Sequence, residues 1–108
     1  MHIVKVSSDF QGPQEGHVTW LLAEGAAAGL CVGFVKVTEE HPPHSHPEEQ
    51  IYYVRSGSGI VRIDAEEQVV EKDTLVYIPP GALHSVVPLP GPDDLSYVFV
   101  THLCPGQA

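Results

Sequence analysis

Residues 41–57, HPPHSHPEEQIYYVRSG, bring three histidines, two glutamates and a glutamine together within ten positions, and the chain then runs into an apolar stretch that ends at a glycine. Imidazole nitrogens and side-chain oxygens are the common donors of transition-metal sites, so ligation of a divalent metal is the chemistry these residue types offer. The plainer reading is a polar loop. His44 and His46 are separated by one residue. On a helix they would diverge, but on an extended strand they share one face and could reach one ion. Gln50 returns to that face if the chain bends at Pro47. Its neighbour Glu49 is the rival ligand and takes that place only if the bend re-phases the strand; the period-2 count ranks Gln50 first. Two histidines supply half a coordination sphere. His84, in PPGALHSVV, opens an apolar run after a Pro-Pro-Gly turn and is the candidate third histidine, with a core or rim histidine as the alternative. His2, His17, His41 and His102 read as solvated or terminal.

These side chains need a scaffold, and the pattern is one of short strands. Val18–Ala23, Leu30–Thr38, Gln50–Arg55, Ile60–Asp64, Gln68–Val70, Leu75–Ile78, His84–Val87 and Leu95–Leu103 are apolar or alternating segments rich in β-branched residues. Gly, Pro and Asp punctuate them, as in an all-β sandwich or barrel. SGSG at Ser56–Gly59 reads as a tight turn, and Ala65–Gln68 as another. Ten prolines and ten glycines leave little room for helix. Leu21–Leu30 is the one helical competitor, and its Gly25 and Gly29 favour a hinge. Alternation puts Tyr52 on the face of Gln50 and turns Tyr53 away. Leu75 and Tyr77 share a parity, as do Tyr97 and Phe99. Tyr52, Tyr77 and Glu49 are therefore the candidate catalytic proton carriers, against the alternative that the tyrosines pack the core with hydroxyls at the rim. Trp20 belongs to the core or to a dimer interface. Arg55 or Arg62 could bind an anionic substrate, with a surface ion pair as the alternative.

At 108 residues the length fits a single domain, 1–108. Fourteen acidic side chains against five Lys and Arg give a formal charge of −9, which argues against nucleic acid and anionic membrane surfaces as partners. No apolar run is long enough to span a bilayer, and MHIVKVSS lacks the layout of a signal peptide, so a cytoplasmic location is expected. Cys31 and Cys104 form no CxxC spacing. Cys31 reads as a buried thiol, and a Cys31–Cys104 disulfide stays open.

The order of these features resembles the cupin superfamily. Its first motif runs Gly, five residues, His-x-His, three or four residues, Glu, six residues, Gly. Its second runs Gly, five residues, Pro-x-Gly, two residues, His, three residues, Asn. His44, His46, Gln50 and Gly57 fall on the first, and Asp73, Pro79, Gly81, His84 and Pro88 on the second, with fifteen residues between the motifs. The resemblance covers a core of about residues 30–103. It implies a small double-stranded β-helix, or jelly-roll-like, barrel that encloses one divalent transition metal (zinc, iron, nickel or manganese). The implied ligands are His44, His46, Gln50 and His84. Thr38, Asp73 and Pro88 depart from Gly, Gly and Asn at turn and packing positions. Gln50 departs from Glu at a ligand position, as in the small cupins that ketonise unsaturated uronates. An amide carbonyl leaves the ion its full charge and sharpens its Lewis acidity toward a carboxylate or enolate.

The expected function is a metal-dependent enzyme acting on a small carboxylated or sugar-derived metabolite, with isomerisation or tautomerisation ahead of oxygenation. The alternative is a cupin that binds or senses a small ligand without chemistry. Small cupins commonly dimerise through N-terminal strands, so a homodimer is expected, with His2–Val6 as such a strand.

Overall fold

Alternation of apolar and polar side chains turns one face of each segment inward, and two such faces closing on each other make the core. The structure, a computed structural model, describes residues 3–6, 12, 14–22 and 30–102. The strands are β1 (Gln14–Glu15), β2 (Val18–Leu22), β3 (Leu30–Val37), β4 (His41–His44), β5 (Glu49–Ser56), β6 (Ser58–Ile63), β7 (Glu66–Glu71), β8 (Leu75–Ile78), β9 (His84–Pro88) and β10 (Leu95–His102). There is no helix among the described residues. A six-stranded sheet runs β1-β2-β3-β10-β5-β8 and a four-stranded sheet runs β4-β9-β6-β7. Every pairing in them is antiparallel.

The core is built from the inward parity of each strand. Val35 and Val37 come from β3, Tyr52 and Val54 from β5, Val61 from β6, Val70 from β7, Ile78 from β8, Val86 from β9, and Leu95, Tyr97 and Phe99 from β10. Phe99 lies directly opposite Gly33 on the neighbouring strand, and a Cβ on Gly33 would stand 2.5 Å from the phenyl ring. Trp20, half-buried, meets the same ring edge-on at 5.7 Å between centroids, so of its two expected places it takes the core.

Eight strands follow the expected segments to within two residues, while β1 and β4 are additional. The turn expected at Ala65–Gln68 lies earlier. Ile63 pairs with Glu66, so Asp64–Ala65 makes the connection, and Asp64 takes the positive φ of 51° that short polar side chains tolerate. SGSG is not a hairpin either. Gly57, at φ 70°, carries the chain from the six-stranded to the four-stranded sheet, so β5 and β6 do not pair. Ile3–Val6 form no strand, and His2 lies outside the described residues. So do residues 23–29, which hold most of the hinge-or-helix segment, and Leu103 and Cys104; Leu21, Leu22 and Leu30 are in strands. Cys31 is buried on β3.

Candidate metal centre

Three histidines converge where β4 and β9 begin to separate. His44, the last residue of β4, lies directly opposite His84, the first residue of β9. Their ring centroids are 4.2 Å apart, and His46 stands 4.9 Å from His84 and 5.8 Å from His44. One nitrogen from each ring falls within 4.8 Å of the others. Accessibility is graded across the trio: His44 is exposed, His46 half-buried and His84 only 1% exposed.

His46 does not share a strand with His44, contrary to the period-2 expectation. β4 stops at His44 because Ser45–Glu48 crosses from the four-stranded to the six-stranded sheet. His46 is held in place by loops. The Gly81 N–H donates to its carbonyl at 2.8 Å, tying it to the turn that leads into His84. Gly81 itself sits at φ 75°, which suits glycine.

The tautomers follow from the neighbours. Nδ1 of His44 faces the Pro42 carbonyl at 3.1 Å, Nδ1 of His46 the Glu48 carbonyl at 2.9 Å, and Nδ1 of His84 the Ala82 carbonyl at 2.9 Å. A carbonyl only accepts, so each Nδ1 carries the proton and each Nε2 keeps a lone pair. His84 Nε2 is buried without a hydrogen-bond partner. Leaving such an atom unmet costs about 1–3 kcal/mol. Three convergent lone pairs, one of them orphaned, fit a cation.

Gln50 completes the donor set from β5. Its Oε1 stands 3.1 Å from His46 Nε2 and accepts the Tyr52 hydroxyl at 3.3 Å. Its Nε2 donates to Thr101 Oγ1 at 2.8 Å. With the His46 proton on Nδ1, Nε2 and Oε1 bring lone pairs to one place, a repulsion that a shared cation relieves. Tyr52 is buried, and burial pushes its hydroxyl up to about 12 against a smaller opposing effect of the Tyr97 hydrogen bond. It therefore holds its proton across the physiological range.

Tyr77 and Glu49 do not join the centre. Ile51 pairs with Tyr77 and Gln50 with Ile78, which puts Tyr77 on the outer face with Glu49. There Tyr77 donates to Glu49 Oε2 at 2.7 Å and is 49% exposed. The same parity removes Glu49 as rival ligand to Gln50. Tyr53 points away as expected and donates to Asp73. Arg62 makes the expected surface ion pair, with Glu67 at 3.3 Å, and Arg55 is exposed.

His41 is not merely solvated: it is half-buried in β4 and its ring lies tilted against that of His17, with centroids 4.1 Å apart. The pair borders a cavity of about 450 Å³ that also touches Lys36 and His44. His102, at the end of β10, is exposed. Thr101 is the site residue that sequence reasoning missed. A threonine near the end of a strand carries no local signal, and only the β5–β10 register sets it opposite Gln50.

A family model described as a cupin domain matches residues 33–101. The chain belongs to the cupin family. A curated relative, the dimethylsulfoniopropionate lyase DddW of Ruegeria pomeroyi, is 30% identical over 93 residues, covering 81% of this chain and 60% of the lyase. The chain thus spans less than two thirds of that relative's length. Among solved cupin folds, a cupin 2 domain-containing protein of Halorhodospira halophila superposes with a TM-score of 0.73 at 16% identity, over 89% of this chain and 71% of that one. A cupin-like protein of Thermotoga maritima gives 0.68 at 26% identity, over 79% and 66%. The cupin motif histidines are the three that converge here, in a two-sheet barrel as the resemblance implied. No helix among the described residues is long and apolar enough to cross a membrane.

Burial lowers the His84 pKa, with the nearby His44 and His46 adding to the effect and the Ala82 hydrogen bond opposing it. The unfolded chain therefore binds a proton at higher pH than the folded one, so this contribution to stability is whole above the unfolded value near 6.5 and is lost as the pH drops below it. His41, lowered chiefly by burial, acts in the same direction. The metal-free protein should hold a constant melting temperature from about pH 8 to 7 and lose it steadily below about pH 6.5. His84→Asn should flatten that slope in thermal melts across the range. An unchanged slope in the variant would remove His84 from the account.

Proposed function

We propose that this cupin is a metal-dependent enzyme that moves a proton on a small carboxylated or sugar-derived metabolite, with isomerisation or tautomerisation ahead of oxygenation. The observation that carries the reading is the neutral donor set: three imidazoles with Nδ1 tied to backbone carbonyls, plus the Gln50 amide oxygen. A divalent transition metal held there (zinc, iron, nickel or manganese) would keep its charge for an anionic ligand and supply Lewis acidity toward two of its oxygens. Exposed His44 forms the open side of the centre and buried His84 its floor. Tyr52, the one candidate proton carrier that faces the donors, keeps its proton and so serves as hydrogen-bond donor or acid rather than base. The relative named for cleaving dimethylsulfoniopropionate, a propionate, supports a carboxylated substrate.

The test is to load the protein in turn with nickel, manganese, zinc and iron, and to follow unsaturated uronates, 2-oxo acids and substituted propionates by proton NMR in deuterated buffer. Exchange or migration of the proton beside the carboxylate supports the enzyme. Saturable binding of a carboxylate with neither exchange nor oxygen uptake would mean a cupin that only binds or senses its ligand. Gln50→Glu should discriminate further. A carboxylate donor should tighten metal binding at least about tenfold, which is about 1.4 kcal/mol, and weaken any carboxylate ligand, because one positive charge is cancelled.

A single cupin domain in the cytoplasm, acting as a homodimer without nucleic-acid or membrane partners, belongs to the same reading. Ile51, Tyr53, Leu75 and Tyr77 form an exposed apolar strip on the outer face of β5 and β8, and this supports a dimer there rather than through Ile3–Val6. Sedimentation of the purified chain reports its mass directly.

A further inference from the structure

We propose that Thr101 is the positioning residue of the centre: it holds the Gln50 amide in the one orientation that turns its carbonyl to the histidines. The inference rests on the metal-centre reading above and adds to it a residue outside the ligand set. An amide has two ends of nearly equal size, and rotation by half a turn would offer the histidines an NH₂ group in place of an oxygen. A cation is bound by the oxygen and repelled by the NH₂. Whatever distinguishes the ends therefore decides whether Gln50 is a ligand at all.

Two contacts distinguish them. Thr101 Oγ1 accepts from Gln50 Nε2 at 2.8 Å, and the Tyr52 hydroxyl donates to Oε1 at the longer 3.3 Å. The Thr101 contact is the stronger by length and is the better fixed. Thr101 is directly opposite Gln50 in the β5–β10 register and only 8% exposed, on a β-branched side chain with few rotamers. Tyr52 is itself held by stacking on Tyr97 at 4.3 Å. Where the ligand is a carboxylate, both ends are oxygen and no such sorting is required. Thr101 is thus coupled to the choice of glutamine at position 50.

Thr101→Val keeps the shape and the strand propensity and removes the acceptor. Cobalt(II) titration followed by visible absorption reads both affinity and ligand set. Loss of a partner that orients a metal ligand typically costs about 10–100-fold in affinity. We expect a loss of that size in Thr101→Val, a changed cobalt spectrum, and recovery of both in Thr101→Ser. In a Gln50→Ala background Thr101→Val should cost nothing further, because its action passes through the amide. If the wild-type chain binds no cobalt, the metal reading itself fails. If it binds cobalt and Thr101→Val matches it in affinity and spectrum, Thr101 has no positioning role. An equal loss in the Gln50→Ala background would also overturn the proposal, by making the effect structural. Should Thr101→Val not fold, Thr101→Ala read against Thr101→Ser gives the same comparison.

Discussion

Replacing His84 with alanine is expected to abolish stoichiometric metal binding while leaving a folded chain. The residue is 1% exposed, it carries the one buried nitrogen without a partner among the described residues, and it stands within 5 Å of both other rings. Removing an outer partner of a ligand already costs about 10–100-fold, so removing a ligand should cost more than about a hundredfold. The stability effect should depend on metal. Without it, the variant loses some packing and also an unsatisfied polar atom, and these offset each other. With metal at about a hundred times Kd, the wild-type chain gains about 2.7 kcal/mol that the variant cannot gain. His44→Ala separates the two causes, because His44 is exposed and contributes little to the core. Metal content after gel filtration, together with melting temperature with and without nickel, reads both effects. Full metal content in His44→Ala and His84→Ala would place the centre elsewhere.

The largest loss of stability is expected from Gly57→Ala. Gly57 sits at φ 70°, where a residue with a Cβ pays about 1–2 kcal/mol. Its added Cβ would lie 2.5 Å from the Leu95 nitrogen and 2.6 Å from the Asp94 carbonyl carbon. Both obstacles are backbone, and Leu95 is anchored in the core at 2% exposure, so neither side can yield cheaply. Relief requires the crossing between the sheets to part from the start of β10. A total of about 2–5 kcal/mol follows once overpacking, itself about 1–3 kcal/mol, is added to the strain. That is a large share of the roughly 5–15 kcal/mol by which such a domain is stable. Urea unfolding should show a lower midpoint with the slope unchanged. Gly91→Ala is the matching control: nothing lies within 4 Å of its added Cβ, and it should change stability by less than about 0.5 kcal/mol. A midpoint for Gly57→Ala equal to that of the control would refute the crossing argument.

Several features of this molecule were legible in single stretches of chain. The parity of β5 put Gln50, Tyr52 and Val54 inward and Ile51 and Tyr53 outward, because period-2 alternation is a property of one strand alone. β8 occupies the segment read for it, since a β-branched and aromatic run ahead of Pro-Pro leaves few alternatives. The His44–His46 pair and the single His84 were visible as residue types in motif order, and their convergence followed from the cupin pattern those motifs resemble.

β4 was not legible. HPPH has two prolines and no strand propensity, yet it pairs with β9 because it lies at a sheet edge, where proline costs no ladder bond. The outward placement of Tyr77 depends on the pairing of Gln50 with Ile78. Thr101 enters the site only through the pairing of β10 with β5. Within a strand, the covalent chain dictates which side chains share a face. Between strands far apart in sequence, register is set by how two sheets close over one core, and on that closure depends which hydroxyl meets the ligand amide.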